Sequence, residues 1–301
     1  MYDLLLQGQH EELLKHKKPS EKVRMLEAYC KLLRQLWTSE KSYENTREFW
    51  GYMVPAAIHA GVDHFRMPVA HDAHEFLVFL LDQFHEALAD EVDIQVKTNP
   101  SNTDTYNALT FWKRQFEKSY SPLVELVFGL VRKSVECQEC KKESVSWETC
   151  NMYKASVKKG DSTGLLTLMK EEGDGEEIED YACEGCSKRV KAIIHRRLWR
   201  LGNWVIVVLK RNENSGRRIN TSVEIPLSTT FDTLFHEHSQ EPSKTNTYTL
   251  FATIHHHGSA GGGHYTAQAK HPVTGRWCHF DDESAREIDV PVLDPSTYIV
   301  M

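Results

Sequence analysis

The sequence has no long apolar run. In its strand-like part the longest is residues 204–209, six in a row, whereas a membrane-spanning helix needs about 18 or more. The first 18 residues mix Gln7, His10 and two glutamates with their leucines, so they lack the continuous apolar centre of a secretory signal. We therefore expect an intracellular protein, of the cytoplasm or nucleus, with no membrane partner.

An excess of positive charge is also missing. Lys and Arg number 36 against 43 Asp and Glu, which gives a formal net charge of −7. Because nucleic-acid binding needs a cationic face, we expect no nucleic-acid partner, and a basic protein partner fits better. With 40% hydrophobic and 26% charged residues, the composition is that of a globular chain, long enough for two compact lobes.

Helical spacing dominates the first third of the chain. Leucines recur at helical intervals in residues 25–37, and a longer apolar stripe runs from Asp72 to Leu88, which predicts two amphipathic helices. Residues 96–110 are rich in Asn, Pro, Ser and Asp and show no period. Their turn composition predicts a flexible connection that closes the helical lobe.

After Phe111 the pattern changes to short β-branched stretches separated by turns, which predicts antiparallel strands. The clearest predicted strands are residues 127–135, 204–209, 248–254, 264–269 and 277–280. Residues 171–180 contain seven acidic side chains together with Gly173 and Gly175, a composition typical of a solvated loop. Helices followed by antiparallel strands indicate the α+β fold class.

Four of the seven cysteines lie in two Cys-x-x-Cys pairs, Cys137 with Cys140 and Cys183 with Cys186. Each pair lets two sulfurs face one ion, and together they supply the four ligands of a tetrahedral structural zinc site. The alternatives are two disulfides, which conflict with an intracellular chain, or four reduced thiols without a metal, which leave the spacing unexplained. The pattern therefore predicts a structural zinc ion that joins two distant hairpins.

A histidine follows a glycine run near the C-terminus. His264 comes directly after residues 261–263, at the start of a predicted strand, and the next strand ends in Asp281 and Asp282. Antiparallel pairing would bring one of these carboxylates against His264, which fixes the imidazole tautomer and leaves its other nitrogen free as a base. Because the chain has 16 histidines, an ordinary surface hydrogen bond is an equal alternative on spacing alone.

Several further motifs occur with these in a consistent order. They are Asp72-Ala-His-Glu-Phe-Leu77, the two Cys-x-x-Cys pairs, Trp204-Val-Ile-Val-Val-Leu-Lys-Arg211, Ile225-Pro226, Tyr248-x-Leu250, Gly263-His-Tyr265 and Trp277-x-x-Phe-Asp-Asp282. From about residue 60 to Tyr298 the set resembles the catalytic domain of the ubiquitin-specific proteases. The resemblance implies one papain-like, hand-shaped catalytic domain over residues 1–301, with a helical thumb (1–115) and an antiparallel β palm with zinc-ribbon fingers (116–301, fingers about 127–200).

The resemblance also implies roles for particular residues. His264 would be the general base, Asp281 its orienting acid and Asp282 a support for the oxyanion region. The residues that would bind ubiquitin or a ubiquitinated protein are Asp72, His74, Glu75, His257, Gly263 and Tyr265. The implied reaction is hydrolysis of the isopeptide bond after the terminal glycine of ubiquitin. Asp72 and Glu75 also have the spacing of a helix capping box, and a capping Asp can still present an oxygen to an arginine.

One family motif is missing. The family places its nucleophile in a Gly-Asn-Thr-Cys box, which these residues do not contain. Aligning residues 3–7 with the family segment that follows this cysteine would put the missing Cys immediately before Met1. Cys30, Cys150 and Cys278 fit small buried residues better than nucleophiles. We therefore expect this chain alone to be inactive, and an inert ubiquitin-binding scaffold or a zinc-stabilised interaction domain stays an alternative.

Overall fold

A computed structural model describes residues 2–38, 46–67, 69–96, 102–213, 215–259 and 262–301. Gly261, the first glycine of the run before His264, and Pro100 lie outside the described residues. After a π-helical turn at Tyr2–Leu6, the helices are α1 (Gln9–Leu14), α2 (Glu21–Thr38), α3 (Arg47–His59), α4 (Ala73–Leu88), α5 (Thr103–Phe116), α6 (Pro122–Val127) and α7 (Leu165–Gly173).

Residues 96–110 were predicted to form a flexible connection, and this prediction was wrong for their second half, because α5 begins at Thr103. Asn102 is the N-cap, since its Oδ1 accepts hydrogen bonds from the amides of Asp104 (2.7 Å) and Thr105 (3.4 Å). Polar residues that resemble a turn in the sequence are also those that start a helix. Downstream, Ala108, Trp112 and Phe116 bury one face of α5.

Within the described residues, the strands form two large sheets and two short pairs. The strands are β1 (Gly129–Cys137), β2 (Glu143–Cys150), β3 (Tyr153–Ser156), β4 (Thr163–Gly164), β5 (Asp174–Cys183), β6 (Lys188–Arg200), β7 (Val207–Lys210), β8 (Val223–Glu224), β9 (Ser228–Thr229), β10 (Tyr248–Thr249), β11 (Ala252–Ser259), β12 (Gly262–Lys270), β13 (Trp277–Asp281), β14 (Ser284–Ile288) and β15 (Thr297–Val300). One sheet has the order β2-β1-β6-β5 and the other β14-β13-β12-β11-β15-β7-β3.

The five strands expected from the sequence all occur, with one split. The predicted strand at 248–254 is divided into β10, which pairs with β9, and β11, which lies inside the seven-stranded sheet. Pairing in that sheet is antiparallel except between β3 and β7. Three short 3-10 turns, Asp63–Arg66, Asp232–Leu234 and Pro242–Thr245, lie in the connections.

The acidic segment 171–180 was predicted as a solvated loop, and this prediction was wrong. Its first residues end α7 and the rest form β5, the edge strand beside β6. The carboxylates are matched by basic side chains across the ladder, for example Glu176 with Arg196 at 2.8 Å and Glu179 with Lys191 at 2.9 Å. Opposite charges on neighbouring strands stabilise such a pair. The basic side chains lie on β6, outside the acidic segment, so the composition of residues 171–180 alone does not indicate a strand.

The helices and the seven-stranded sheet share one core. Leu26, Met53 and Phe84 from the helices are buried with Val208 and Ile299 from the sheet. Burial of these apolar side chains is the main stabilising contribution between the two parts. It also fixes the start of α4 against the C-terminal strand β15. Among the described residues, none of the helices has the length and apolar character needed to span a membrane.

Candidate active site

His264 and Asp281 are brought together by the pairing of β12 with β13. The register places Ala267 opposite Phe280, so His264 and Asp281 leave neighbouring strands on the same face. Nε2 of His264 donates to Oδ1 of Asp281 at 2.6 Å, and each side chain is 47% exposed. The hydrogen bond occupies Nε2 and leaves Nδ1 available to accept a proton.

The two groups shift each other's proton affinity. The hydrogen bond from His264 lowers the pKa of Asp281, and the same bond, with the charges of Asp281 and Asp282, raises the pKa of His264. Asp282 is the first residue of the turn between β13 and β14 and has a φ of 48°. Asp adopts this left-handed conformation more readily than most residues. The turn places a carboxylate oxygen of Asp282 within 4.8 Å of the donor atoms of His264 and Asp281.

A row of polar side chains continues behind the pair. His257 lies opposite His264 on β11, and its Nε2 is 3.5 Å from Oγ1 of Thr266. Next in the row, His255 is buried, and its Nε2 lies 2.9 Å from the side-chain nitrogen of Gln268. Burial lowers the pKa of His255 to about 4. His255 is therefore a neutral structural residue, and its role was not foreseen from the sequence.

Glycines let the backbones of β11 and β12 approach closely beside His264. A Cβ added at Gly263 would lie 2.4 Å from the carbonyl oxygen of His257 and 2.5 Å from Nε2 of His256. Its cross-strand partner Gly258 has a φ of 146°, and a Cβ there would lie 2.4 Å from the oxygen of Gly262. Only glycine meets both demands, which explains the glycines at these positions.

A groove of about 130 Å³ lies at the same end of the sheet, against the start of α4. Among the residues that line it are Asp72, Gly263, Tyr265 and Tyr298. Because successive side chains on a strand alternate, Tyr265 leaves β12 on the face opposite His264. The histidine pair and the groove therefore lie on the two sides of the Gly263 backbone.

Asp72 links the helix to the sheet. Its Oδ1 accepts from the amides of His74 (2.7 Å) and Glu75 (3.3 Å), which makes it the N-cap of α4. The hydroxyl of Tyr298 donates to Oδ2 at 2.8 Å, and the amide of Ala73 donates to the Tyr265 hydroxyl at 3.4 Å. Asp72 is thus the N-cap of α4 and also accepts a hydrogen bond from Tyr298, while the next residue, Ala73, contacts Tyr265.

The other predicted substrate residues are placed differently. In the described part of the chain, the lining of the groove does not include His74, Glu75 or His257. Glu75 lies 3.3 Å from Nε2 of His64, and His74 is half-buried, which lowers its pKa. The structure thus gathers Asp72, Gly263 and Tyr265 at the groove and leaves the other three at its margins.

The groove is also lined by two arginines to which the sequence pattern assigned no role. Nη1 of Arg218 lies 3.0 Å from Nδ1 of His256, whose ring stacks on Tyr265 at 4.5 Å. Arg211 is buried and donates from Nε to the carbonyl oxygen of Thr297 at 2.7 Å. Arg211 ends the motif that begins at Trp204, whereas the place of Arg218 depends on contacts with His256 and Pro295 that no local motif indicates.

The four paired cysteines form a separate cluster at the far ends of β1 and β5. Their sulfurs all lie within 4.8 Å of one another, with 3.7 Å between Cys137 and Cys186 and 3.6 Å between Cys140 and Cys183. These distances exceed the roughly 2.05 Å of a disulfide. Backbone amides that point at its sulfur lower the pKa of Cys137. The group could hold a metal ion.

The remaining cysteines are poor nucleophiles in their surroundings. Burial raises the pKa of Cys30 to about 12 and that of Cys150 to about 11, which keeps both thiols protonated at neutral pH. Cys278 alternates with His279 on β13, so it leaves the strand on the face opposite Asp281. None of these three thiols is placed to meet the free nitrogen of His264.

Comparison with known proteins gives a consistent result. A family described as ubiquitin carboxyl-terminal hydrolase matches residues 2–301. Curated relatives include ubiquitin carboxyl-terminal hydrolase 2 of Homo sapiens, 27% identical over 273 residues, with 86% of this chain and 44% of that protein covered. The protein of the same description from Bos taurus is 28% identical over 278 residues, with the same shares covered. The chain thus spans less than half the length of these relatives.

Two solved structures share the fold. A yeast SAGA DUBm structure has a TM-score of 0.67 at 18% identity and covers 98% of this chain and 60% of that one. The SAGA Ubp8/Sgf11/Sus1/Sgf73 DUB module bound to ubiquitin aldehyde has a TM-score of 0.66 at 17% identity and covers 98% and 62%. These likenesses establish the α+β architecture of the chain.

The His264 pair yields a direct prediction. Asp281→Asn should lower the pKa of His264, because the charged hydrogen bond that raises it is lost. The raised pKa means that the pair adds stability below the ordinary histidine pKa of about 6.5 and that this contribution is lost as pH rises through the raised value. Ring-proton NMR titration of His264 measures the shift.

Asp282→Asn is the matched control for this titration. Asp282 acts on His264 through its charge alone, so the pKa of His264 should fall less in this variant than in Asp281→Asn. An unchanged His264 titration in Asp281→Asn would contradict the pairing.

Proposed function

Because the chain belongs to the ubiquitin carboxyl-terminal hydrolase family, we propose that it is a ubiquitin-binding deubiquitinase domain that cleaves the isopeptide bond after the C-terminal glycine of ubiquitin. The observation that carries the proposal is the 2.6 Å His264–Asp281 pair beside the close approach of β11 and β12 at Gly263. In this proposal the helices up to about residue 115 form the thumb, and the four-stranded sheet forms the fingers.

His264 acts as the base in this reaction. Asp281 accepts a hydrogen bond from the Nε2–H of His264 and fixes the tautomer, so Nδ1 takes the proton of a cysteine thiol. The thiolate attacks the carbonyl carbon of the terminal glycine, the C–N bond breaks, and His264 returns the proton to the leaving lysine amine. Water, deprotonated by the same imidazole, then attacks the thioester and releases the glycine carboxylate and the thiol.

The family alignment of residues 3–7 places the position of the nucleophile immediately before Met1. Leu4 and Leu5 are buried in the core that the helices share with the sheet, which holds this end of the chain in a fixed position. The groove at Gly263 guides the tail from Asp72 toward His264. A second candidate function is an inert ubiquitin-binding scaffold, favoured by the absence of a Gly-Asn-Thr-Cys box from these residues.

An N-terminal extension that ends in Gly-Asn-Thr-Cys tests the two functions. We expect the extended chain to hydrolyse a fluorogenic ubiquitin C-terminal reporter about a hundredfold faster than both the unextended chain and a matched extension that ends in Ser, because only the first supplies a thiolate. His264→Ala in the extended chain should abolish the gain.

Equal rates for the Cys and Ser extensions, with ubiquitin binding intact, would favour the inert scaffold. Activity in the unextended chain that vanishes with Cys30→Ser or Cys278→Ser would instead place the nucleophile inside the chain and overturn the alignment.

Recognition of ubiquitin rests on the carboxylate at the start of α4. The exposed tail of ubiquitin carries arginines, and a charge-assisted pair with Asp72 is stronger than a neutral hydrogen bond. The Asp72 carboxylate lies in the groove that leads to Gly263, with Glu75 one helical turn further along. In this proposal the secondary contacts with ubiquitin are made at the margin of the groove, by His74, Glu75 and His257.

Asp72→Asn separates recognition from helix capping. Asn is as good an N-cap as Asp, and its side-chain oxygen can still accept from Tyr298, which lies 3.0 Å from Oδ1 of Asp72. The free energy of unfolding should therefore change little, while the affinity for ubiquitin falls and depends less on salt because one charge pair is lost. Isothermal titration with ubiquitin at two ionic strengths measures both effects. Asn102→Asp, the same exchange in reverse at the cap of α5, is the control that should leave ubiquitin binding unchanged; equal affinities in Asp72→Asn and the parent would remove Asp72 from the site.

Zinc is the ion we propose for the four-cysteine cluster. Zn–S bonds of about 2.3 Å in a tetrahedron place the sulfurs about 3.8 Å apart, close to the 3.6 and 3.7 Å of the cluster. Lys141 and Ser187, each directly after the second cysteine of its pair, have φ values of 60° and 54°, so both turns fold alike. Four protein ligands leave no open position, and the ion would serve to join the ends of the fingers strands.

Cys140→Ser tests the metal. We expect the zinc that the purified protein retains after dialysis to fall by about one equivalent, and the melting temperature to fall, because a three-thiolate site binds more weakly. Cys278→Ser, which lies outside the cluster, should change neither quantity. Protein purified without chelator that holds no metal, with all four thiols freely titratable, would contradict the zinc site.

A further inference from the structure

Apart from the His264–Asp281 pair and the cysteine cluster, a third group of side chains has atoms that could coordinate a metal ion. Asp104, His236 and His238 each place one donor atom so that the three atoms lie within 4.8 Å of one another. Asp104 lies in the first turn of α5, and the two histidines follow the 3-10 turn at Asp232–Leu234. The fold thus joins a helix of the N-terminal lobe to a loop of the C-terminal half at this point.

The histidine side of the group is held rigidly. The backbone amide of His236 donates to the carbonyl oxygen of Leu198 at 2.9 Å, and its ring stacks on Trp199 at 5.7 Å. The hydroxyl of Ser239 donates to the carbonyl oxygen of Trp199 at 2.7 Å and ties down the far end of the turn. The amide of His238 lies 3.3 Å from Nδ1 of His236, so both rings stay on one side of the turn.

The carboxylate side is equally fixed. Nε of Arg132 donates to Oδ2 of Asp104 at 2.8 Å, and the Asn102 cap sets the direction of this first turn. The guanidinium charge of Arg132 is shared with Glu143, at 3.1 Å from Nη2. The local charge of these three groups is therefore negative by one, and Arg132 contacts a single oxygen of Asp104.

We propose that Asp104, His236 and His238 form a binding site for a divalent transition-metal ion of the zinc class. Two imidazoles and one carboxylate are a donor set that zinc takes with a fourth position left to water, whereas magnesium and calcium prefer oxygen ligands throughout. Such a site would clamp α5 to the loop after β9, in addition to the clamp at the cysteines.

Charged groups around the two rings determine how well the site accepts a cation. A metal competes with protons for both rings. The carboxylates of Asp104 and Glu237 face the two rings and favour a cation there, whereas Arg132 opposes it.

Calorimetric titration of the zinc-loaded, dialysed full chain with zinc chloride tests the site. The parent protein should take up one further equivalent per chain, and His238→Ala should lower that affinity at least tenfold. Because the His238 side chain is 52% exposed, this variant should have the melting temperature of the parent before further zinc is added. Added zinc should raise the melting temperature of the parent and not that of the variant.

His195→Ala is the matched control. His195 lies 3.5 Å from Asp174, and this pair of one histidine and one carboxylate lacks a second histidine. The variant should therefore bind zinc as the parent protein does. No uptake beyond the cysteine site, or equal uptake by the parent and His238→Ala, would overturn the proposal. Both readouts are independent of ubiquitin and of catalysis.

Discussion

The contact between the start of α4 and the strands β12 and β15 is the constraint on which the rest of the site depends. Tyr298 donates to Asp72 at 2.8 Å, and the amide of Ala73 donates to Tyr265. Beneath these bonds, Val208 and Ile299 of the sheet are buried among the apolar faces of the helices. A carboxylate that caps one helix therefore also sets the distance between the helical lobe and the sheet.

This arrangement explains why the site has two sides. His264 and Tyr265 are adjacent in sequence, but their side chains lie on opposite faces of the sheet. His264 contacts Asp281 on one face, and Tyr265 lies on the face of His256 and Asp72. Only backbone separates the two sides at Gly263, where a methyl group would strike His256 and the His257 carbonyl. The tyrosine side and the histidine side are therefore connected across a stretch without side chains.

Sequence reasoning succeeded where the determining signal was local. The α4 cap, the zinc-type spacing and the hairpin partners His264 and Asp281 are each set by residues close in the chain or by a repeated motif. It failed where polar composition has two structural outcomes: residues around Asn102 start a helix instead of a loop, and the acids before Cys183 form a strand because β6 supplies basic partners. The roles of His255 and Arg218 depend on tertiary neighbours, and no sequence spacing reveals them.

The acidic strand β5 also determines how the four-stranded sheet meets other molecules. β5 and β2 are its two outer strands, and an outer strand with unpaired backbone groups invites a strand from another chain. β5 has two irregularities in its register with β6 and carries a row of carboxylates, while β2 presents Glu143 and Glu148. Charged side chains along both outer strands, together with the irregular register of β5, disfavour pairing of this sheet with a strand of another chain.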